Sequence, residues 1–325
     1  MTRSTLRRRV GPAAAACAAA MVLAACGGQS NGAAGGGGGG DLSGKVLIDG
    51  SSTVGPLSSA AAELYAEEAP GVNVTVATSG TGGGFKKFCA GETDISDASR
   101  PLADDEMAAC KAKGIEYVEL QVANDALTVV ANQQNNWANC LTTEQLKTIW
   151  GLEAEGKVKT WNQVDPSFPP EPLALFGPGT DSGTFDYFTD EINGEEGASR
   201  TDYQSSEDDN VLVQGVAGAK GALGYFGYTY YEENADKLKA VQVDGGSGCV
   251  APSAQTVQDG TYKPLARPLF LYVNKAAYTS KPQVKGFVDY YVSNDGKIAE
   301  AAQYVPLNDD QKSALQTAAG KLGSG

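Results

Sequence analysis

The sequence predicts an α/β protein folded as two lobes. From residue 44 onward, short apolar runs alternate with segments of helical period. Several strand-to-helix junctions are built of Gly, Ser and Thr. About 280 residues remain once the N-terminal segment is set aside, more than one hydrophobic core comfortably organises.

Lys45 to Asp49 is a short apolar strand, and Pro56 to Glu68 follows as a helix with Leu57, Ala61, Leu64 and Tyr65 at helical spacing, stopped by Pro70-Gly71. Val72, Val74 and Val76 alternate as a strand. Phe85 to Ala90 and Asp104 to Lys113 read as helices, with a short strand before Ser99-Arg100. Tyr117 to Leu120 and Leu127 to Ala131 read as two strands. Thr142-Thr143-Glu144-Gln145 opens a helix to Trp150 through a capping box. Leu173 to Phe176 is a strand, Ser182 to Ile192 and Asp208 to Val216 are helices, and Gly221 to Tyr228, Ala240 to Val243 and Leu269 to Val273 are strands. Helices close the chain near Lys321. The alternation implies mainly parallel sheets, and no internal repeat is visible.

Residues 1–25 read as a signal peptide. Arg3, Arg7, Arg8 and Arg9 form a basic start, and the apolar stretch from Ala13 to Val22 is too short for a stable membrane span. Leu23-Ala24-Ala25-Cys26 resembles a bacterial lipobox, which would make Cys26 the lipidated first residue; the alternative is ordinary cleavage at an A-x-A site with Cys26 incidental. Residues 26–43 include six consecutive glycines, Gly35 to Gly40, and read as a flexible tether. A lipid anchor, a leash and a folded body describe a protein exported and held at the outer face of the cell membrane. Export permits disulfides. Cys89, Cys110, Cys140 and Cys249 contain no CxxC pair and allow three pairings, of which adjacency favours Cys89–Cys110 with Cys140–Cys249. These spacings do not suit a metal site, and no cofactor is expected.

The chain has 25 Lys+Arg, 39 Asp+Glu and no histidine, a formal charge of −14. Loss of residues 1–25 removes four arginines and no acids, leaving 21 basic against 39 acidic residues, a net of −18. The missing histidine excludes Ser-His-Asp and Cys-His catalysis and His-ligated metal centres. The acidic balance argues against nucleic-acid binding, which needs a basic footprint.

Three junctions suit an anion. They are Asp49-Gly50-Ser51-Ser52-Thr53-Val54, Ser79-Gly80-Thr81-Gly82-Gly83-Gly84 and Gly177-Pro178-Gly179-Thr180-Asp181-Ser182-Gly183-Thr184, each leading from a strand into a helix. A helix start presents unpaired backbone N–H groups and partial positive charge, glycine lets a ligand approach the backbone, and hydroxyls add donors. Each loop alone reads more readily as N-capping and tight turns, but three such loops after strands point to a ligand, since ligands of α/β proteins bind where strands end. Asp94 to Leu102 adds Ser99 beside Arg100, whose fork suits a tetrahedral oxyanion, although a surface Arg–carboxylate pair accounts for it equally. Nucleotide motifs fail: Gly39 to Lys45 nearly spells GxxxxGK but has Val46 where Ser or Thr belongs, and Gly80-x-Gly82 is followed by Phe85 in place of a third glycine.

Together DGSSTVGPL, SGTGGGFKKFCAGETDISDASRPL, FGPGTDSGTFDYF and SEDDNVLVQGVAGAKGALGYFGY resemble the PstS-type phosphate-binding lipoproteins of the high-affinity phosphate ABC importer, over about Val46 to Leu307. The resemblance implies a type II periplasmic-binding-protein fold, two α/β lobes joined by two hinge crossovers and closing on one dehydrated phosphate. It implies phosphate ligands at Ser52, Thr53 and the Val54 N–H; at Thr81 with Ser79 and Gly82; at Ser182, Gly183 and Thr184; and at Ser99 and Arg100. The sequence departs from the enteric pattern, which has Asp where Ser99-Arg100 stands and Arg near Pro178. The cation is therefore expected from Arg100, on the opposite lobe, and the carboxylate that takes the phosphate proton from Asp181, or second from Asp97. Crossovers are expected near Val122 to Asp125 and Arg267 to Leu269, assigning 44–123 and 268–325 to one lobe and 124–267 to the other. Expected partners are inorganic phosphate, the permease and ATPase subunits and the membrane through the lipid anchor, with the chain itself a monomer. Competing readings are a sulfate or molybdate receptor, an adhesin or sensor without a permease, and a hydrolase using Ser182 with Lys86 or Lys220; against the last, Ser182 lies in no GxSxG elbow.

Overall fold

The computed structural model describes residues 42–180 and 182–324. Cys26, the expected signal peptide, nearly all of the expected tether and Asp181 lie outside these residues. The strands are β1 (Gly44–Gly50), β2 (Val72–Ala77), β3 (Ile95–Ala98), β4 (Tyr117–Asn132), β5 (Cys140–Thr142), β6 (Ala174–Gly177), β7 (Gln204–Ser205), β8 (Ala222–Gly227), β9 (Leu238–Ala240), β10 (Gln242–Asp244), β11 (Cys249–Val250) and β12 (Ala266–Asn274). The helices are α1 (Gly55–Glu68), α2 (Thr81–Cys89), α3 (Asp104–Ala112), α4 (Thr143–Trp150), α5 (Gly183–Phe188), α6 (Asp209–Gly218), α7 (Tyr228–Glu233), α8 (Ala254–Gln258), α9 (Lys275–Ser280), α10 (Pro282–Ser293), α11 (Asp295–Ala301) and α12 (Asp309–Ala319).

The main sheet runs β2-β1-β3-β12-β4-β8-β6-β7, with β9 also on β4. β1 is parallel to β2 and β3, and β6 to β7 and β8, as strand–helix alternation implies. The centre differs: β12 runs antiparallel to β3 and β4, and β4 antiparallel to β8 and β9. The sheet is therefore mixed rather than mainly parallel. β4 is also one strand of 16 residues where two were expected. The polar residues Asn124 and Asp125, which interrupt its apolar pattern, are buried because each has partners. Asn124 Oδ1 accepts from Gln121 Nε2 at 3.0 Å and from Gln311 Nε2 at 3.1 Å, Asn124 Nδ2 donates to Gln311 Oε1 at 3.2 Å, and Asp125 faces Arg267 in register on β12.

Two α/β lobes each bury a core. One includes Val46, Leu57, Tyr65, Ala123, Leu269, Phe287, Tyr291 and Leu315, with α1, α10, α11 and α12 against the sheet. The other includes Ala126, Trp150, Trp161, Tyr187, Phe188, Tyr225 and Leu265, and in it the Phe188 and Tyr225 rings stack at 3.8 Å. The α4 capping box forms as expected: the Gln145 N–H donates to Thr142 Oγ1 at 3.1 Å and the Thr142 N–H to Gln145 Oε1 at 3.0 Å. The segment expected as one helix from Ser182 to Ile192 is α5 followed by a wider π turn over Thr189–Asn193. Thr189 Oγ1 donates to the Phe185 carbonyl there at 2.8 Å, a local bond that competes with regular helix. Ala240 to Val243 divides between β9 and β10, which belong to different sheets.

Disulfides join Cys89 to Cys110, linking α2 to α3, and Cys140 to Cys249, linking β5 to β11. This is the pairing adjacency favoured. Among the described residues no helix is long and apolar enough to cross a membrane, and no cluster of acids and cysteines could hold a metal ion.

Candidate functional site

Close packing of backbone brings the first two loops together. Gly50 ends β1 at φ +154°, where a Cβ would lie 2.0 Å from the Asp97 carbonyl oxygen on β3, so only glycine lets the first loop cross there. The Ser51 N–H donates to that carbonyl at 2.9 Å, Val54 caps α1, and Thr53 is held by its N–H to Ser51 Oγ at 3.2 Å. The second loop is tied to the first through Asp49, which accepts the Ser79 N–H at 3.0 Å, the Ser79 hydroxyl at 2.7 Å and Lys87 Nζ. Burial would raise the Asp49 carboxyl, but these bonds outweigh it and hold the group below the usual range. Ser79, expected to bind ligand, thus has its one proton committed to Asp49; it anchors the loop.

Thr81, first in α2, lies 3.1 Å from Ser99 through their hydroxyl oxygens, and a Cβ on Gly82 would sit 3.6 Å from Arg100 Nη2. Ser52, Thr53, Thr81 and Ser99 line one small cavity of about 70 Å³. Arg100 lies just outside it, lining a larger groove of about 550 Å³ that shares Gly80, Thr81 and Ser99. Its guanidinium grips Glu106 by both oxygens at 2.8 and 2.9 Å and lies 5.6 Å from the centre of the Phe85 ring. Those bonds hold the Glu106 carboxyl below its ordinary range and keep Arg100 charged.

The third loop meets the first. A Cβ on Gly183 would be 3.3 Å from Thr53 Oγ1, so the start of α5 lies against Thr53. Ser182 Oγ caps α5 by accepting the Thr184 N–H at 3.2 Å, and Thr184 lines a second cavity of about 120 Å³ on which Thr53, Asp125, Asp209, Gln303 and Tyr304 also open.

Asp97, the second candidate for a proton-accepting carboxylate, lines neither the small cavity nor the larger groove. It is fully buried beneath the first loop with Ser58 Oγ donating to Oδ1 at 2.8 Å, while Oδ2 has no partner. Burial pushes it up to about 7, the charge of Asp49 adds to this, and the Ser58 bond opposes it. Other carboxylates line the small cavity: Asp186, Asp190 and Glu196. Asp186 is raised above its ordinary range, first by burial and then by Glu196.

One residue at the centre was expected only as part of a crossover. Among the described residues lining the 70 Å³ cavity, Arg267 is the one cation. It leads the apolar run Leu269 to Val273, and a lone arginine at the mouth of an otherwise buried strand was the available signal.

The pattern of the PBP superfamily domain matches residues 33–295. Protein SphX of Synechocystis sp. is 49% identical over 268 residues, covering 82% of this chain and 80% of that protein. Phosphate-binding protein PstS of Staphylococcus saprophyticus is 41% identical over 283 residues, 86% of each chain. The chain belongs to the PstS-type phosphate-binding protein family. The crystal structure of a possible phosphate binding protein from Planctomyces limnophilus superposes with TM-score 0.82 at 48% identity, covering 87% of this chain and all of that one. PstS from Borrelia burgdorferi, 22% identical with TM-score 0.62, shares the fold. The PstS relatives are phosphate-binding proteins rather than enzymes.

Proposed function

We propose that the chain is an extracytoplasmic receptor that binds inorganic phosphate between its lobes and delivers it to the permease and ATPase of an ABC importer. The observation that carries this is the approach of Gly183 to Thr53, which brings the hydroxyl- and amide-rich starts of α1 and α5, from opposite lobes, to one place. Ser52, Thr53, the Val54 N–H, Thr81, Gly82, Ser99, Ser182, Gly183 and Thr184 are the proposed donors, with Arg100 the proposed cation that swings from Glu106 onto the anion. Ser79 acts in this reading by fixing the second loop, and Asp181 is the proposed proton acceptor.

Each charge-assisted hydrogen bond contributes roughly 1.5–3 kcal/mol. A handful therefore supports micromolar or tighter affinity, about −8 kcal/mol, after ordering costs. The acidic surface does not oppose this, because exposed charges beyond about 10 Å are screened.

The lobes are proposed to comprise 44–123 with 268–325, and 124–267. Supporting these bounds, the first core reaches Ala123 and resumes at Leu269, the second begins at Ala126 and includes Leu265, and the β4–β12 register shifts between Leu269 and Phe270. Bending of this two-stranded ribbon would close the lobes, the signal read by the permease. Anchoring through lipidated Cys26 and the glycine-rich tether completes the reading, with the protein acting as a monomer at the outer face of the membrane.

Calorimetry of the protein from Cys26 onward, with phosphate and sulfate in turn, tests the assignment. Heat with phosphate and none with sulfate is expected; tight sulfate binding without phosphate heat would replace the ligand by another tetrahedral oxyanion.

A further inference from the structure

Arg267 touches three elements distant in sequence. From β12 its Nε donates to Asp125 Oδ2 at 3.3 Å, directly opposite in the ladder with β4. Its Nη2 donates to Thr53 Oγ1 at 2.9 Å in the first loop. Its guanidinium carbon lies 3.6 Å from the centre of the Tyr187 ring on α5. The side chain is 19% exposed, so these contacts are made with little water between them, where cation–π and ionic contacts are strongest.

The contact with Thr53 fixes a direction. A hydroxyl has one proton and two lone pairs, and a guanidinium only donates. Thr53 Oγ1 therefore accepts from Arg267 and keeps its own proton for another acceptor. The rest of Thr53 is already held: its N–H donates to Ser51 Oγ, and its carbonyl accepts the Tyr304 hydroxyl at 2.6 Å. The hydroxyl rotor is the freedom that remains, and Arg267 restricts it by occupying one lone pair. Tyr187 is also held from its far end, its hydroxyl donating to the Pro264 carbonyl at 2.6 Å. Through that ring Arg267 grips α5, whose first residue lies against Thr53.

We propose that Arg267 is a positioning residue of the anion site: it turns the Thr53 hydroxyl proton toward the bound anion and clasps the first loop to α5, so that donor geometry and lobe closure form together. This rests on the phosphate reading above.

The test compares Arg267→Met, which keeps the stem and loses charge and donors, Arg267→Lys, which keeps charge and loses the fork, Thr53→Val, and the Met/Val double variant. Phosphate affinity is measured by calorimetry, and amide hydrogen exchange at residues 53–54 and 183–188 is followed in the ligand-free protein. Arg267→Met and Thr53→Val should each weaken phosphate at least tenfold, and the double variant should lose no more than about threefold beyond the weaker single one, since both remove the same bond. Arg267→Lys should lose most of the affinity while folding normally, which keeps the test decisive if the Met variant does not fold. Both Arg267 variants should speed exchange at the two segments without changing the central strands. Multiplicative losses in the double variant, wild-type affinity in Arg267→Lys, or unchanged exchange would each overturn the proposal. Absence of phosphate binding by the unaltered protein would instead refute the phosphate reading, and the exchange comparison would still decide the clasp.

Discussion

Gly84 in the first turn of α2 is packed so tightly on Gly50 at the end of β1 that a β-carbon at position 84 would lie 2.4 Å from the Gly50 Cα and 2.8 Å from the Asp49 carbonyl oxygen. Both are backbone atoms of a strand paired on both sides, so neither can yield. The second loop can approach the first only because this residue has no side chain. Gly84→Ala is expected to destabilise the fold by about 1–3 kcal/mol, the usual range for overpacking, and to weaken phosphate binding by parting Thr81 from Ser52. Denaturant unfolding and calorimetry on one preparation check both; an alanine variant of unchanged stability and affinity would contradict the packing.

Arg100→Ala separates binding from folding. Its partner Glu106 is mostly shielded but Arg100 itself is 47% exposed, and such pairs contribute up to about 1 kcal/mol. Stability should therefore barely change while phosphate affinity falls at least tenfold. Equal affinity would show that the cation comes from elsewhere, with Arg267 the nearest alternative.

Asp97 makes stability depend on pH. Its carboxyl has an ordinary value of 3.8 and stands at about 7 in the fold. The folded state thus holds the proton more tightly than the unfolded chain. The cost of burying the ionised form is fully present above about pH 7 and disappears as pH falls toward 4. Asp97→Asn cannot ionise, so it should gain stability relative to the unaltered protein at pH 8–9, and the gain should shrink or reverse at pH 5. Unfolding curves at three pH values suffice, and a difference that does not vary with pH would remove Asp97 as its source.

The two disulfides close loops of different length, 21 and 109 residues apart. In the chain-entropy account these stabilise by about 3 and about 4.7 kcal/mol. Replacing Cys140 and Cys249 by serine should therefore lower the unfolding midpoint more than replacing Cys89 and Cys110. The reverse order would mean that local packing around α2 and α3, rather than loop closure, dominates.

The loops around the candidate site could be read directly from residue types. Runs such as Ser79 to Gly84 and Ser182 to Thr184 announce helix starts, because glycine and hydroxyl residues act within one or two positions of where they stand. Thr142 with Gln145, and Val72 with Val74 and Val76, declare their elements for the same reason. Asn124 and Asp125 were misleading: they break the apolar pattern of β4, yet the strand continues through them. Gln311, which pairs with the Asn124 amide, and Arg267, which faces Asp125, are more than a hundred residues away, and no local rule anticipates a polar residue satisfied at that distance.

Position in sequence likewise could not separate residues that open on the cavity from residues that hold others in place. Ser79 and Thr81 look alike along the chain, but the Ser79 proton belongs to Asp49 while Thr81 opens on the cavity with Ser99. Asp97 has the chemistry of a proton acceptor and is sealed beneath the loop. The sequence by itself determined the α/β class and the helix-start loops, since periodicity and capping are short-range, and it favoured one of three cysteine pairings without fixing it. Only the tertiary structure decided that β4 and β12 form one continuous ribbon and that Arg267 stands between Thr53, Asp125 and Tyr187. Hydrogen bonds and cation–π contacts depend on distances of a few ångströms between segments whose separation along the chain carries no trace of them.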